Sequence, residues 1–282
     1  MKLFTQVFCL FSLIVLLTTS CNNVNAVAAD NQGKEVVPVK PELFLTSEGS
    51  VTVKTVACTL VSGEETTCYQ IITSGKPADH PMGPWCPDHI DDEAVAGGIW
   101  PEGGKKHDVS GAFIKNMATF YNDDTWLMYD KNGNIYTTDT KEDCANAANP
   151  NVGPEYANFC VECLPSYVTD LSNSYLLPVN PVRLVDPVSF ARGGRKSGAP
   201  SNRGIAFNGI VFAAPAPTHA ILGAHTLAPF DDAGGHINLH AGYHYHAATG
   251  CTEASGAVEA DGHASLLGYA LDGDGIYGEL DS

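Results

Sequence analysis

Asp231-Asp-Ala-Gly-Gly-His236-Ile-Asn-Leu-His240-Ala-Gly-Tyr243-His244-Tyr245-His246-Ala-Ala-Thr-Gly250 is the stretch from which both the fold and the chemistry of this chain are read. Tyrosine and histidine alternate over 243–246. Alternation belongs to a strand, where successive side chains point to opposite faces. A strand here puts His244 and His246 on one face and Tyr243 and Tyr245 on the other. Four of the ten histidines fall in the eleven positions from His236 to His246. Neutral imidazole is the commonest metal ligand among side chains, so two from one strand, with one or two from the loop before it, make a ligand set suited to zinc or copper.

The neighbouring segments extend the β reading outward. Upstream, Gly204-Ile-Ala-Phe-Asn-Gly-Ile-Val-Phe212 alternates and then breaks at Pro215 and Pro217, which predicts one strand leading toward the histidines. Downstream, Asp272-Gly-Asp274-Gly has Ile276 where a calcium loop needs its next oxygen ligand, so a turn is predicted. Further back, Thr125 to Thr138 reads as a hairpin closed by Asn132-Gly133 in a type I′ turn. Val51–Leu60 and Thr67–Thr73 form another pair around Ser62-Gly63-Glu64-Glu65. Cys58 and Cys68 are equidistant from Gly63, which predicts that they stand opposite each other in a cross-strand disulfide. Ser110 to Phe120 carries Phe113 and Met117 at helical spacing, with Asp108 or Ser110 as cap, and predicts one short helix. A helical turn is expected over Asp139–Ala148.

The loop from His80 to His89 holds three prolines and four soft or borderline ligands, His80, Met82, Cys86 and His89. The simpler expectation is that Cys86 joins a disulfide, Trp85 packs, and the two histidines face solvent. Cys160-Val-Glu-Cys163 resembles a redox or zinc spacing, but in a Gly/Pro-rich exported chain disulfides with Cys144 and Cys86 are expected, their connectivity open. The basic loop Arg192-Gly-Gly-Arg195-Lys196, with Arg203, reads as a solvated loop. The fold class expected is mainly β (β-rich α+β), with hairpins, one or two short helices and disulfides, in one compact domain after a linker.

Composition bounds the partners. Across 282 residues, 32 acidic and 15 basic side chains leave a formal net charge of -17, which repels a phosphate backbone and argues against nucleic acid. Lys2 and the apolar run Val7–Leu17 have the length of a signal-peptide core and fall short of a membrane span. Residues 1–20 are therefore expected to be a signal peptide. Leu17-Thr-Thr-Ser-Cys21 resembles a bacterial lipobox with its large aliphatic residue one place early, which makes Cys21 the candidate lipid anchor. Ala26-Val27-Ala28 offers the rival site for ordinary secretion. Either way the protein is expected outside the cytoplasm, touching a membrane only through a lipid. Residues 21–48 read as a tether, and 49–282 as the domain, divided into a β-rich part at 49–185 and a His-rich part at 186–282.

With Tyr243-His244-Tyr245-His246, the preceding Gly235-His236 and the following His263-Ala-Ser-Leu-Leu-Gly-Tyr-Ala-Leu-Asp-Gly-Asp-Gly-Ile-Tyr-Gly278, the chain resembles the YHYH-domain family. Trp85-Cys86, Gly98-Ile99-Trp100 and the Trp126–Thr138 region resemble a portion found in exported members, so the likeness covers roughly 50–282. The resemblance implies little chemistry, because the family is named for its motif. It does imply two departures. Many members have cysteine where Ala233 stands, matched to one like Cys251; here seven cysteines remain beyond Cys9 and Cys21, and Cys251 is the one expected unpaired. Related chains also continue past a Tyr-Gly like Tyr277-Gly278 into a second histidine segment, and the resemblance leaves two readings open here, an incomplete site or a C-terminally truncated member.

The metal ligands expected are His244 and His246, then His236, His263 and His240, with Asp232 as a carboxylate ligand or as the acceptor that orients an imidazole. Tyr243 and Tyr245 are expected to pack behind the strand. The leading function is extracytoplasmic binding of copper or zinc, with affinity falling below about pH 6 as imidazoles of ordinary pKa take up protons. One alternative is a metal-dependent enzyme in which His240, His263 or Asp232 handles protons. The other is a metal-free module binding carbohydrate or protein through exposed Trp85, Trp100 and Trp126.

Overall fold

A computed structural model describes residues 37–147, 151, 157–168, 171–184, 201–238, 242–246 and 264–278. The alternation of β-branched residues in the first expected hairpin yields β1 (Val51–Thr59) and β2 (Glu65–Thr73), paired antiparallel. Thr59 opposes Glu65, so the turn is centred on Ser62 rather than Gly63. Cys58 and Cys68 are consequently diagonal neighbours, Cys58 facing Thr66 and Cys68 facing Val56, and their disulfide closes across the diagonal at a Cα separation of 5.9 Å. Strand β5 (Asn173–Pro178) adds to the other side of β2, and Ile71 and Leu177 from this sheet are fully buried.

Between these strands, β3 (Ile99–Glu102) and β4 (Lys105–Asp108) make a small hairpin. Helix α1 (Gly111–Lys115) starts where Ser110 Oγ accepts from the Phe113 N–H at 3.2 Å. The single helix expected over 110–120 is in fact two, because the chain leaves helical geometry at Asn116 before α2 (Met117–Tyr121). With α3 (Lys141–Ala147) and α4 (Thr218–Gly223), the described residues hold four short helices, more than the one or two predicted.

The 125–138 segment departs further from its prediction. Instead of a ladder it makes one internal bridge, Tyr129 with Ile135, while Asn134 and Thr137 bridge to His89 and Cys160. The Asp130 carboxylate accepts from the N–H groups of Asn132 and Asn134 at 2.8 and 2.9 Å, and the Asp130 carbonyl accepts from Gly133 N–H at 3.0 Å. The reversal is therefore a three-residue loop with Gly133 in the left-handed region at φ 93, not a type I′ turn. A local aspartate has taken backbone donors that a ladder would have used.

The remaining strands, β6 (Asn202–Ala206), β7 (Val211–Ala213), β8 (Gly235–Asn238), β9 (Gly242–Tyr245), β10 (Leu266–Ala270) and β11 (Gly275–Tyr277), form a six-stranded sheet in the order β11-β10-β6-β7-β9-β8. All its pairs are antiparallel except β7 with β9. The segment 204–212, expected as one strand, is a hairpin. Ala206 donates to the Ile210 carbonyl at 2.8 Å, and Gly209 turns the chain at φ 87. Asp272 to Gly275 forms the predicted turn between β10 and β11.

Two buried clusters hold the elements together. One gathers Trp85, Trp100, Trp126, Met117, Leu227, Tyr243 and Tyr245 around the Cys86–Cys160 disulfide. The other packs Ile71, Leu177, Ile205 and Tyr269 with Val39 and Phe44, two residues of the stretch read as tether. Each such large apolar side chain contributes on the order of 2–3 kcal/mol when removed from water. Cys144 bonds Cys163, so the four central cysteines pair among themselves as expected. Three disulfides are those of a chain that folds in an oxidising compartment. Among the described residues no helix is long and apolar enough to cross a membrane.

Candidate metal centre

The histidine face is built by register. In the β8–β9 pair His236 stands directly opposite His244, and His246 follows β9 two residues on, on the same face as His244. One potential ligand atom from each of the three lies within 4.8 Å of the others. The imidazole centroids are 4.7 Å apart for His236 and His244, 5.0 Å for His236 and His246, and 4.8 Å for His244 and His246. Phe230 closes one side, its ring 5.0 Å from that of His236 and 5.5 Å from that of His246. Phe230 is itself held by paired backbone bonds to Ile99 at 2.7 and 2.9 Å and by the stacked ring of Trp100.

The hydrogen bonds fix the tautomers. Nδ1 of His244 lies 3.0 Å from the Gly242 carbonyl, and Nδ1 of His246 lies 2.6 Å from the Ala214 carbonyl at the end of β7. A carbonyl can only accept, so both Nδ1 atoms carry the proton and donate it. In a neutral ring the Nε2 atom is then a bare lone pair. The two Nε2 atoms face each other at 3.0 Å, an arrangement in which two acceptors repel unless a cation sits against both. Tetrahedral zinc with Zn–N bonds of about 2.0–2.1 Å sets its ligands about 3.3 Å apart, so the spacing is close to that of a shared ion. Ligating histidines characteristically donate their other N–H to a carbonyl or carboxylate, as these two do. The carbonyls of Ala228 and Pro229 act on His236 in the opposite direction to burial, favouring its protonated form.

Burial keeps the three rings neutral. It lowers the pKa of His244 from 6.5 to about 4, partly offset by the bond to Gly242. His236 is pushed well below its ordinary value, by burial first and by the neighbouring imidazoles second. His246 is lowered by burial, with its bond to Ala214 opposing. Imidazole ligands must be deprotonated to bind a metal. Protons therefore compete for these nitrogens in more acidic solution than they do for ordinary histidines, because desolvation disfavours the charged ring.

The tyrosine face is internally complete. Tyr243 donates to the buried Asp231 carboxylate, its hydroxyl 2.7 and 2.9 Å from the two oxygens. Asp231 also accepts from the N–H groups of Gly83, Ala233 and Gly235. Burial raises its pKa, against the lowering effect of these bonds. A Cβ at Gly235 would run into the Tyr243 ring, which is why glycine stands there. Tyr245 bonds Nε2 of His80 at 2.7 Å, and since His80 Nδ1 donates to the Pro81 carbonyl, the tyrosine hydroxyl is the donor. Asn208 in turn donates to that hydroxyl at 2.7 Å.

The structure thus brings together His236, His244 and His246 of the predicted ligands. Asp232 is exposed and outside the group; the turn closed by Gly234 N–H to the Asp231 carbonyl at 2.9 Å directs Asp231 inward in its place. His240, His263, Cys21, Cys251 and Arg192 to Lys196 lie outside the described residues. His80, expected on the surface, is instead spent on Tyr245, while His89 bonds the Asn132 carbonyl at 3.0 Å. Trp85, Trp100 and Trp126 are 3%, 0% and 6% exposed, so none offers the surface a ring-stacking module needs. Sequence reading missed Phe230, Asp231 and the Ala214 carbonyl; the one available signal was Asp231 lying within the motif.

Fold and site together define a disulfide-bonded, β-rich domain with a three-histidine cluster on one strand pair. Residues 175–281 match the family model described as YHYH protein. The match begins in β5, so β1 to β4 and the three helices before it lie outside it, and it is narrower than the 50–282 expected from motifs. No curated protein and no solved structure matches the chain.

Proposed function

We propose that this is an exported protein that binds a transition metal, copper or zinc, through His236, His244 and His246. The observation that carries the reading is the 3.0 Å approach of two Nε2 lone pairs whose tautomers are fixed by carbonyl acceptors. Three neutral nitrogen donors favour copper or zinc over calcium or magnesium, which take oxygen. The formal charge of -17 draws cations toward the surface. In this reading residues 1–20 are the export signal, and Cys21 is either lipidated, with the segment after it as tether, or removed by cleavage further on. The test is metal content of the purified protein, with titration by Zn(II) and by copper in both oxidation states. The chain is expected to hold close to one ion and a His244→Ala/His246→Ala variant none. Negligible binding by both proteins removes the proposal.

A further inference from the structure

The three imidazoles offer neutral donors only. Of the two aspartates that precede the motif, Asp231 is turned to the tyrosine face, where it accepts from Tyr243 and from the N–H groups of Gly83, Ala233 and Gly235, and Asp232 is exposed. Among the described residues no carboxylate or thiolate joins the three histidines. The group is also walled on one side. Phe230 is 2% exposed, and its ring lies 5.0 Å from that of His236 and 5.5 Å from that of His246. The wall is held in place: Trp100 stacks behind the ring, the backbone pairs with Ile99, and Gly98 packs so closely that a Cβ there would run into the Phe230 carbonyl.

Resting on the metal reading above, we propose that the ion taken by this centre is Cu(I), held by the three imidazoles, and that Phe230 sharpens the choice against Zn(II) by shutting out the water or hydroxide that zinc needs. The cost of taking an ion out of water grows with the square of its charge, so a divalent ion costs about four times what a monovalent one does in the same surroundings. Zinc on three histidines completes its tetrahedron with water or hydroxide, and the hydroxide also lowers the net charge. Cu(I) is soft and monovalent, and three imidazoles satisfy it without a fourth donor or an anion. Neutral nitrogens against an aromatic wall therefore deny zinc two things it needs and deny Cu(I) neither.

Competition titrations with chelator-buffered Zn(II) and Cu(I), the latter kept reduced by ascorbate so that the disulfides stay intact, test this on wild type, Phe230→Ala and Phe230→Leu. Wild type is expected to bind Cu(I) the more tightly. Alanine is expected to tighten Zn(II) about 10-fold and to move Cu(I) by less than about twofold, while leucine, which keeps the bulk, keeps the wild-type ratio. Phe230→Val serves if the alanine variant does not fold. X-ray absorption on the Cu(I)-loaded chain is expected to show three nitrogen neighbours and no fourth. A ratio unchanged by trimming the ring, a leucine variant that behaves like alanine, a fourth neighbour on Cu(I), or a wild type that prefers Zn(II) overturns the assignment while leaving the three-histidine site standing. A wild-type chain that binds neither ion overturns both.

Discussion

The two faces of β9 are made by alternate residues of one tetrapeptide, yet they are satisfied in opposite ways. On the tyrosine face each hydroxyl meets a partner of complementary chemistry supplied by the chain: Asp231 for Tyr243, His80 for Tyr245. On the histidine face the N–H groups are spent on carbonyls, and what remains is a set of converging lone pairs. A buried polar group without a partner is expensive to keep. One face is therefore a finished structural joint, and the other turns two imidazole nitrogens toward each other, with the Asn238 amide 3.5 Å from one of them.

The largest expected effect separates the faces by function. His244→Ala/His246→Ala should abolish metal binding, read by equilibrium titration, and leave the fold intact by circular dichroism. If the same double substitution unfolds the protein, the histidine face is a structural joint too and the contrast fails. Next is Asp231→Ala, which strands the Tyr243 hydroxyl and three backbone N–H groups. Destabilisation of about 4 kcal/mol, or roughly 10 °C in Tm, is expected from thermal melts. A loss under 1 kcal/mol refutes the role given to this carboxylate.

A smaller effect comes from pH. The folded pKa of His244 lies near 4, below its unfolded value of 6.5, so between these values the unfolded chain binds more protons than the native one. Stability of the metal-free protein therefore rises with pH from about 4 to about 6.5 and levels off above. His244 contributes about 3 kcal/mol to that span. Denaturant midpoints across the range check it, and a flat profile means that the ring is not desolvated as described. Metal should be retained at pH 6 for the same reason. The smallest effect is that of Tyr245→Phe, which deletes the bonds to His80 and Asn208 for a loss of about 1 kcal/mol and no change in metal stoichiometry. Metal loss in that variant shows that the two faces are coupled.

Much of this site was legible early because strand geometry is local. Once residues 243–246 are a strand, the division of tyrosines from histidines follows from the pleat alone. The disulfide partners Cys58 and Cys68 were legible for a similar reason, being in one hairpin. Their diagonal placement was not, since a one-residue shift in the centre of a turn is decided by backbone hydrogen bonds such as Leu60 N–H to the Glu64 carbonyl. The 125–138 hairpin misled because Asp130 competes for backbone donors, and composition does not say which acceptor wins.

By itself the sequence determined that the chain is β-rich and disulfide-bonded, that it carries the YHYH motif, and that imidazoles crowd one strand. All of these follow from periodicity, composition and short spacing. Tertiary structure alone decided which groups finish each face. The parallel pairing of β7 with β9 brings the Ala214 carbonyl to His246 across 32 positions, and the turn before β8 points Asp231 inward and Asp232 out. The tautomer of an imidazole is set by whatever acceptor the fold delivers to it, and that acceptor has no signature in the local sequence.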